Sequence, residues 1–377
     1  MRTLKASGHH SMDADLAASA PPPLSDSSAR RIRLPRLQEM GLLLVIAVMW
    51  GILSYFGYRN ADPGQNNLFL NPSNLVEQIA TPMSYYAIMA VGMTLVIVSG
   101  GIDISVASTM ALSALGSAAI LQYIDPKASG WKVLPMAMLI GPGIGLLCGL
   151  FNGLLVVLLE VHPFIITLGT LSIYRCLATV THQQATLPSA GRRLPHAFTE
   201  NFMKLKLTIW GNQLEPMPMV IMFVIVGIGW FYLSKTVGGR EIYALGGNEE
   251  ASRFSGLRTN LIKLRVYALA GLAAGIAGMV SLGNFGTAST STAQGYELTV
   301  VAAAVVGGAS LSGGRGTALG AILGALIIAT IEDAIYVMHW ESEYRLGIVG
   351  SAIIVAVAID RFNDKLRLRR IGGARAR

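Results

Sequence analysis

Long runs without a charged residue recur from one end of this sequence to the other, and they decide which solvent the chain folds in. A helix of about 20 apolar residues crosses the hydrocarbon core of a bilayer. Ten runs approach or exceed that length, at residues 40–58, 78–102, 104–124, 133–159, 161–174, 216–234, 266–296, 298–314, 316–331 and 346–359. The pattern predicts an all-α, polytopic membrane protein with about ten transmembrane helices.

Composition excludes the ordinary soluble class. Only 13% of residues are charged and 53% are hydrophobic, whereas soluble domains carry about 25% charged residues. Glycines recur at four-residue spacing inside the apolar runs, which is typical of close helix packing in lipid. The predicted packing stripes are Gly145, Gly149 and Gly153, then Gly271 with Gly275, and Gly320 with Gly324.

Basic residues predict the orientation, because they accumulate on the cytoplasmic side of membrane proteins. Residues 1–40 contain six Lys or Arg, residues 235–265 six and residues 361–377 seven; with Arg315 they make 20 of the 29 in the chain. Ten spans place all of them on one side. Both termini are therefore predicted to be cytoplasmic, and the net charge of +8 reflects topology rather than affinity for nucleic acid.

Composition and charge also divide the chain into three segments. Residues 1–39 are polar and include three consecutive prolines, so we expect a disordered cytoplasmic extension. Residues 40–362 form the predicted transmembrane domain, with a cytoplasmic loop at 235–265, and residues 363–377 form a basic cytoplasmic tail. Two cysteines, Cys148 and Cys176, do not indicate a disulfide framework.

Catalytic signatures are missing from the sequence. The chain has no Gly-Lys dipeptide and hence no Walker A phosphate loop. Its histidines, including His162, lack partners at metal-ligand spacing. We expect no catalytic residue, no metal site and no cofactor in this chain.

Asp103 interrupts an apolar stretch just after Gly100 and Gly101. A charge at the centre of a span costs about 2.5–3.5 kcal/mol on insertion scales, so Asp103 needs polar partners or water. We expect the two glycines to break the helix and Asp103 to cap a new helix that starts at Ile104. Two readings remain open: a site on a translocation pathway, or a cap at the cytoplasmic surface.

A second break has a similar pattern. Gly307 and Gly308 precede Ser310, as Gly100 and Gly101 precede Asp103 and Ser105. Paired glycine-interrupted segments in two halves of a transporter indicate a translocation site.

The loop at 235–265 is too polar to span and should contain a short surface helix that ends at Gly256. We assign Glu249, Glu250, Ser252 and Arg253 to its exposed side, and Ala251 and Phe254 to its apolar side. Such a helix offers a rigid surface to a partner protein.

Four segments together resemble the permease subunits of bacterial ABC sugar importers of the ribose type: IVSGGIDISVAS, HPFIITLGTLSIYRCLATV, YALGGNEEASRFSGL and GYELTVVAAAVVGGASLSGGRGT. The resemblance covers residues 40–362 in the same order. Departures from the family pattern are Ala107, Cys176, Thr299 and the acidic pair Glu332–Asp333.

The resemblance implies a multi-pass protein of the bacterial inner membrane with several partners. These are an ABC ATPase that binds ATP and Mg, as separate chains or as a tandem fusion, a periplasmic sugar-binding protein, and a second permease copy, identical or paralogous. The loop from Glu249 to Gly256 would dock the ATPase, and Arg192 and Arg193 would contact the binding protein. Pathway or signature residues would be Gly100, Gly101, Asp103, Ser105, Asn284, Gln294, Tyr296, Glu297, Gly307, Gly308 and Ser310, with Glu332 as a further lining residue.

Three alternatives compete with this interpretation. A branched-chain amino acid ABC permease shares the broad architecture. A proton-coupled secondary transporter would need acids with a basic partner inside the spans, for which Asp103 and Glu332–Asp333 are the candidates. An integral-membrane enzyme would need a reactive cluster that the spacing does not provide.

Overall fold

The computed structural model describes residues 37–61, 67–180, 186–209, 212–341, 343–344, 347–352, 354–355 and 358. The predicted N-terminal extension lies outside the described residues except for residues 37–39, which begin the first helix. The basic tail at 363–377 lies outside them entirely. The last predicted span, 346–359, is described only in part, and its described residues are helical.

Helices dominate the described chain, as the apolar runs predict. The helices are α1 (Leu37–Arg59), α2 (Thr81–Val98, entered through a π-helical segment, Asn74–Ala80), α3 (Val106–Leu121), α4 (Gly130–Leu159), α5 (Pro163–Val180), α6 (His196–Phe198, followed by a π-helical turn, Thr199–Met203), α7 (Met217–Lys235), α8 (Val237–Gly247), α9 (Glu249–Phe254), α10 (Thr259–Phe285), α11 (Tyr296–Val306) and α12 (Ala318–Val337). Two antiparallel pairs join four short strands, β1 (Thr186–Leu187) with β4 (Ala288–Ser289), and β2 (Leu207–Ile209) with β3 (Asn212–Leu214).

Seven of the described helices are long and apolar enough to cross a membrane: α1, α2 with its π-helical entry, α4, α5, α7, α10 and α12. The apolar helices α3 and α11 are shorter, with 16 and 11 residues. The prediction of a helical, polytopic membrane protein is confirmed at this level.

Contacts between helix ends define two faces of the bundle. On the α8 face, the Gly314 amide donates to the Val98 carbonyl (2.8 Å), and Tyr243 Oη donates to the Gly316 carbonyl (2.6 Å). On the opposite face, called the Arg192 face, the Ser189 amide donates to Gln122 Oε1 (3.0 Å). The ends of α2, α8 and α11 therefore meet on one side, and the end of α3 meets the long loop before α7 on the other.

The core is built around α2 and α10, which are buried along most of their length, whereas α1, α5 and α7 expose large apolar side chains. Helix α4 lies against α10 through its glycines. A Cβ added at Gly149 would overlap the Tyr267 carbonyl, and one added at Gly324 of α12 would overlap the Ala303 carbonyl of α11. The predicted glycine stripes are thus confirmed as helix contacts, where backbones approach closely and gain dispersion energy in lipid.

One predicted span is wrong. The run at 266–296 is not one span, because α10 ends at Phe285 and α11 begins only at Tyr296. Gly286 and Gly295 adopt positive φ angles of 69° and 86° at the two ends of the intervening loop. Glycine tolerates this conformation, so the chain leaves one helix and enters the next without any charged or proline breaker.

Candidate functional site

Asp103 lies inside the protein rather than at a surface. Its side chain is 2% exposed, and its Oδ1 accepts hydrogen bonds from the Ser105 amide (2.9 Å) and from Ser105 Oγ (2.6 Å). Asn152 Nδ2 donates to Ser105 Oγ at 2.7 Å and approaches Asp103 Oδ2 at 3.4 Å. Tyr174 Oη donates to Asn152 Oδ1 at 2.9 Å. We call these four residues the Asp103 cluster.

This geometry corrects the predicted cap. Helix α3 begins at Val106 rather than Ile104, and its N-cap is Ser105 without a side-chain capping bond. Asp103 instead closes a tight turn over Ser105. The carboxylate is buried beside Asn152 of α4, so Asp103 is not a solvent-exposed cap.

The loop that carries Asp103 is fastened to two helices. Thr167 Oγ1 of α5 donates to the Ile102 carbonyl (3.1 Å) and accepts from the Ile104 amide (3.2 Å), while Asn152 belongs to α4. Such bonds satisfy the backbone groups that the break in the helix leaves free. A movement of this loop would therefore pull on α4 and α5 together.

The loop at 235–265 is more structured than predicted, because α8, α9 and the start of α10 occupy it. Thr236 Oγ1 accepts from the Gly239 amide to cap α8, and Asn248 Oδ1 accepts from the Ala251 amide to cap α9. The ion pair of Lys263 with Glu249 (2.5 Å) joins α10 to α9.

The side chains of α9 only partly follow the prediction. Glu249, Glu250 and Arg253 are exposed as expected, and Gly256 ends the helix with a φ of 83°. Ser252 was assigned to the exposed side but is 6% exposed. Ala251 was assigned to the apolar side but is exposed. Packing against α8 and α10, which periodicity within six residues cannot specify, sets this orientation.

Phe254 is the most prominent feature of this surface. Its side chain is 84% exposed, the largest exposed fraction among the large hydrophobic side chains of the described residues. A large apolar side chain that stays exposed in the folded chain does not gain the free energy of burial. We call Glu249, Glu250, Arg253 and Phe254 the α9 surface.

Closely packed glycines connect α8, the helix that leads into the α9 surface, to both predicted helix breaks. We call these contacts the glycine joint. A Cβ added at Gly246, near the end of α8, would overlap the Val98 carbonyl, and one added at Gly313 would meet the Gly246 carbonyl at 2.5 Å. The Gly314 amide donates to the same Val98 carbonyl. The turn itself is closed by Arg315 Nη2, which donates to Ser310 Oγ at 3.0 Å. The structure thus brings together the two predicted breaks, at residues 99–105 and 307–316.

A second polar group lies between α2, α11 and α12. The rings of Tyr86 and Tyr296 meet edge to face with centroids 4.8 Å apart, and Tyr86 Oη donates to Glu332 Oε2 at 3.0 Å. Tyr85 lies beside Phe285, with ring centroids 6.1 Å apart, and beside Asn284. We call Tyr85, Tyr86, Tyr296 and Glu332 the mid-span cluster.

Arg175 of α5 holds the loop that precedes α11. Its Nη1 donates to the carbonyls of Thr290 (3.1 Å) and Thr292 (2.9 Å). Gln294 of this loop is exposed, whereas Glu297 is partly buried and interacts electrostatically with Arg175. The conformation of this loop is therefore fixed by a side chain of another helix.

Glu332 and Asp333, the acidic pair that departs from the family pattern, have different surroundings. Glu332 is partly exposed and belongs to the mid-span cluster. Asp333 is 3% exposed, and its Oδ2 accepts from Asn74 Nδ2 at 3.1 Å. No group of three metal-binding side chains occurs among the described residues.

Arg192 and Arg193 border a cavity of about 380 Å³ on the Arg192 face. The Arg192 guanidinium lies 3.9 Å from the centroid of the Tyr123 ring, which is a cation–π contact. The lining also includes Asp125, and both arginines are exposed.

Sequence reasoning missed Asn152, Tyr174, Thr167, Tyr86 and Arg175. Their signal was present, because each is a polar side chain inside or at the end of an apolar run. Their partners are distant in sequence, so only the fold shows that they meet.

Comparison with known proteins agrees with this architecture. Residues 75–357 match the family model described as branched-chain amino acid transport system / permease component. The chain is 35% identical over 326 residues to the ribose import permease protein RbsC of Bacillus subtilis (strain 168), covering 86% of this chain and 93% of that protein. It is 36% identical to the ribose import permease protein RbsC of Escherichia coli (strain K12), covering 78% of this chain and 85% of that protein.

A third relative transports a different sugar by its name. The D-allose transport system permease protein AlsC of Escherichia coli (strain K12) is 31% identical over 329 residues, covering 87% of this chain and 93% of that protein. The family match extends over three quarters of the chain and includes both glycine breaks, the α9 surface and the mid-span cluster. The chain belongs to this family of transport-system permease components.

Proposed function

We propose that this chain is the membrane-spanning subunit of an ATP-binding cassette importer that translocates a monosaccharide such as ribose. The observation that carries the proposal is the near full-length similarity to ribose and allose permeases. The branched-chain amino acid alternative is not favoured, since these relatives carry sugars by name. Proton coupling is not favoured either, because the relatives are import-system permeases.

In this proposal the chain performs no covalent chemistry. An ATPase subunit binds ATP and Mg and docks on the α9 surface, where the exposed Phe254 supplies apolar area and Glu249, Glu250 and Arg253 supply charge. A periplasmic sugar-binding protein docks on the Arg192 face. A second permease copy completes the pathway, as an identical chain or a paralogue.

Ten spans with both termini cytoplasmic are the topology we propose. We assign the ten passes to the seven long helices, the shorter α3 and α11, and a last segment whose described residues, 347–352, 354–355 and 358, are helical. The α8 face then lies in the cytoplasm and the Arg192 face outside. Location in a bacterial inner membrane follows from the bacterial relatives.

The glycine joint supplies a physical route from ATP to the pathway. Closure of the ATPase would shift α9 and α8, and Gly246 bears on the Val98 carbonyl at the end of α2. The next residues form the loop of the Asp103 cluster, which is fastened to α4 and α5. A partner can shift the transporter only through different affinities for the two states, so the nucleotide-bound ATPase must favour one position of this joint.

Reconstitution of the complete complex tests the proposal. Proteoliposomes containing the chain, its ATPase and its binding protein should accumulate labelled D-ribose in the presence of ATP. Labelled L-leucine serves as the competing substrate. Accumulation of leucine but not ribose would replace the sugar proposal with the amino acid one.

A further inference from the structure

Tyr267 of α10 ends in a buried hydroxyl group for which no hydrogen-bond partner occurs among the described residues. The residue is only 1% exposed. Folded proteins pair nearly all of their buried polar groups, because an unpaired donor gives up its hydrogen bonds to water without replacing them. The Tyr267 hydroxyl therefore destabilises the state that the structure shows.

This hydroxyl lies against the loop at residues 99–105, which carries Asp103. A Cβ added at Gly101 would lie 2.5 Å from Tyr267 Oη. The hydroxyl is also near enough to Asp103 to interact with it electrostatically. Among the described residues, Asp103 Oδ2 accepts one hydrogen bond, a long one from Asn152 Nδ2 (3.4 Å). An unused donor and a weakly used acceptor are therefore neighbours in a buried place.

Backbone contacts indicate which of these two groups moves. Tyr267 is held in place, because its carbonyl group lies so close to α4 that a Cβ added at Gly149 would overlap it. The loop that carries Asp103 begins just after Val98, whose carbonyl group contacts Gly246 in the glycine joint. A displacement of α8 would therefore shift the loop past a fixed hydroxyl group.

We propose that Tyr267 is a positioning residue of the transport cycle, whose hydroxyl donates to Asp103 Oδ2 once displacement of α8 has moved the loop. The hydroxyl biases the equilibrium between the two states and does not contact the sugar. The second state gains a hydrogen bond to a charged acceptor, which is stronger than one between neutral groups. The inference rests on the proposed function, because the ATPase is the partner that displaces α8.

Thermal unfolding of the full chain in detergent tests whether the hydroxyl is unpaired. Tyr267→Phe removes a group without a partner, so the thermal midpoint should stay the same or rise. Tyr174→Phe is the matched control, because its hydroxyl lies 2.9 Å from both the Cys148 carbonyl oxygen and Asn152 Oδ1. Loss of these bonds should lower the midpoint. A midpoint that falls in Tyr267→Phe as it does in Tyr174→Phe would overturn the inference, since Oη would then have a partner such as an ordered water.

Gly101→Ala checks the same geometry independently. The added methyl group would lie 2.5 Å from Tyr267 Oη but 3.5 Å from Cζ of the same ring, and the longer distance is an ordinary van der Waals contact. Gly101→Ala alone should therefore lower the midpoint through overpacking. Addition of Tyr267→Phe should restore most of the loss. Without this rescue, the placement of the hydroxyl against the loop would be contradicted.

Uptake by proteoliposomes of the complete complex tests the role in transport. At saturating ATP and loaded binding protein, uptake of labelled D-ribose by Tyr267→Phe should fall about tenfold, as expected when one state loses a hydrogen bond to a charged acceptor. A purely structural role would lower uptake and the thermal midpoint together, whereas the proposal predicts that only uptake falls. Uptake at the wild-type rate would overturn the inference.

Failure of the proposed function would have a different signature. A wild-type complex that imports no sugar with ATP would refute the proposed function itself. The two thermal comparisons need neither ATPase nor sugar, so they would still report whether the Tyr267 hydroxyl is unpaired beside Gly101.

Discussion

Truncation of Phe254 should separate docking of the ATPase from folding of the permease. The side chain is 84% exposed, so Phe254→Ala removes almost no packing within this chain, and its unfolding free energy should change by no more than about 0.5 kcal/mol. A docked partner would bury nearly the whole side chain. Burial of a phenylalanine contributes about 1.5–3 kcal/mol, so the dissociation constant of the ATPase should rise roughly 10- to 100-fold.

The assay is the affinity of the purified ATPase for the permease in detergent, measured together with thermal unfolding of the permease alone. Phe223→Ala is the matched control, because Phe223 is 55% exposed on α7 and lies twelve residues before Lys235, the end of the helix that leads towards the α9 surface. The control should leave the ATPase affinity unchanged. Equal affinity of Phe254→Ala and wild-type protein for the ATPase would refute the assignment of the α9 surface.

Three further changes test other parts of the structure. Asn152→Leu leaves the buried Asp103 without its amide donor and should destabilise the folded chain by about 1–3 kcal/mol, lowering its thermal midpoint in detergent. Gly149→Val forces apart α4 and α10 and should cost a similar amount through overpacking, seen as loss of folded protein in membranes; unchanged yield would contradict the close contact. Replacement of Arg192 and Arg193 by glutamate should weaken binding-protein docking at low salt without changing ATPase affinity, as measured by surface-bound vesicles.

Much of the helical architecture could be predicted, because a membrane-spanning helix requires a long run of uncharged residues, and such runs are visible in the sequence. The glycine stripe of α4 could also be predicted, since backbone contact in lipid requires small residues at helical spacing. The surface helix α9 was predicted from its polar composition and from Gly256, which ends it with a positive φ angle.

The surroundings of Asp103 could not be predicted. The burial of its side chain depends on Asn152 and Tyr174, which lie 49 and 71 positions later in the chain. These residues come close to Asp103 only after α4 and α5 pack. The break at 286–295 was missed for a related reason. Its residues are uncharged and contain no proline, and the loop is held by Arg175 from another helix.

The central claim is that sugar moves through this chain only when a separate ATPase supplies the energy. The most direct measurement is sugar uptake into proteoliposomes that carry an imposed proton gradient, with ATPase and binding protein either present or omitted. The account predicts accumulation of labelled ribose only in vesicles that contain both partners and ATP, whatever the gradient. Accumulation driven by the gradient in vesicles that contain this chain alone would contradict it.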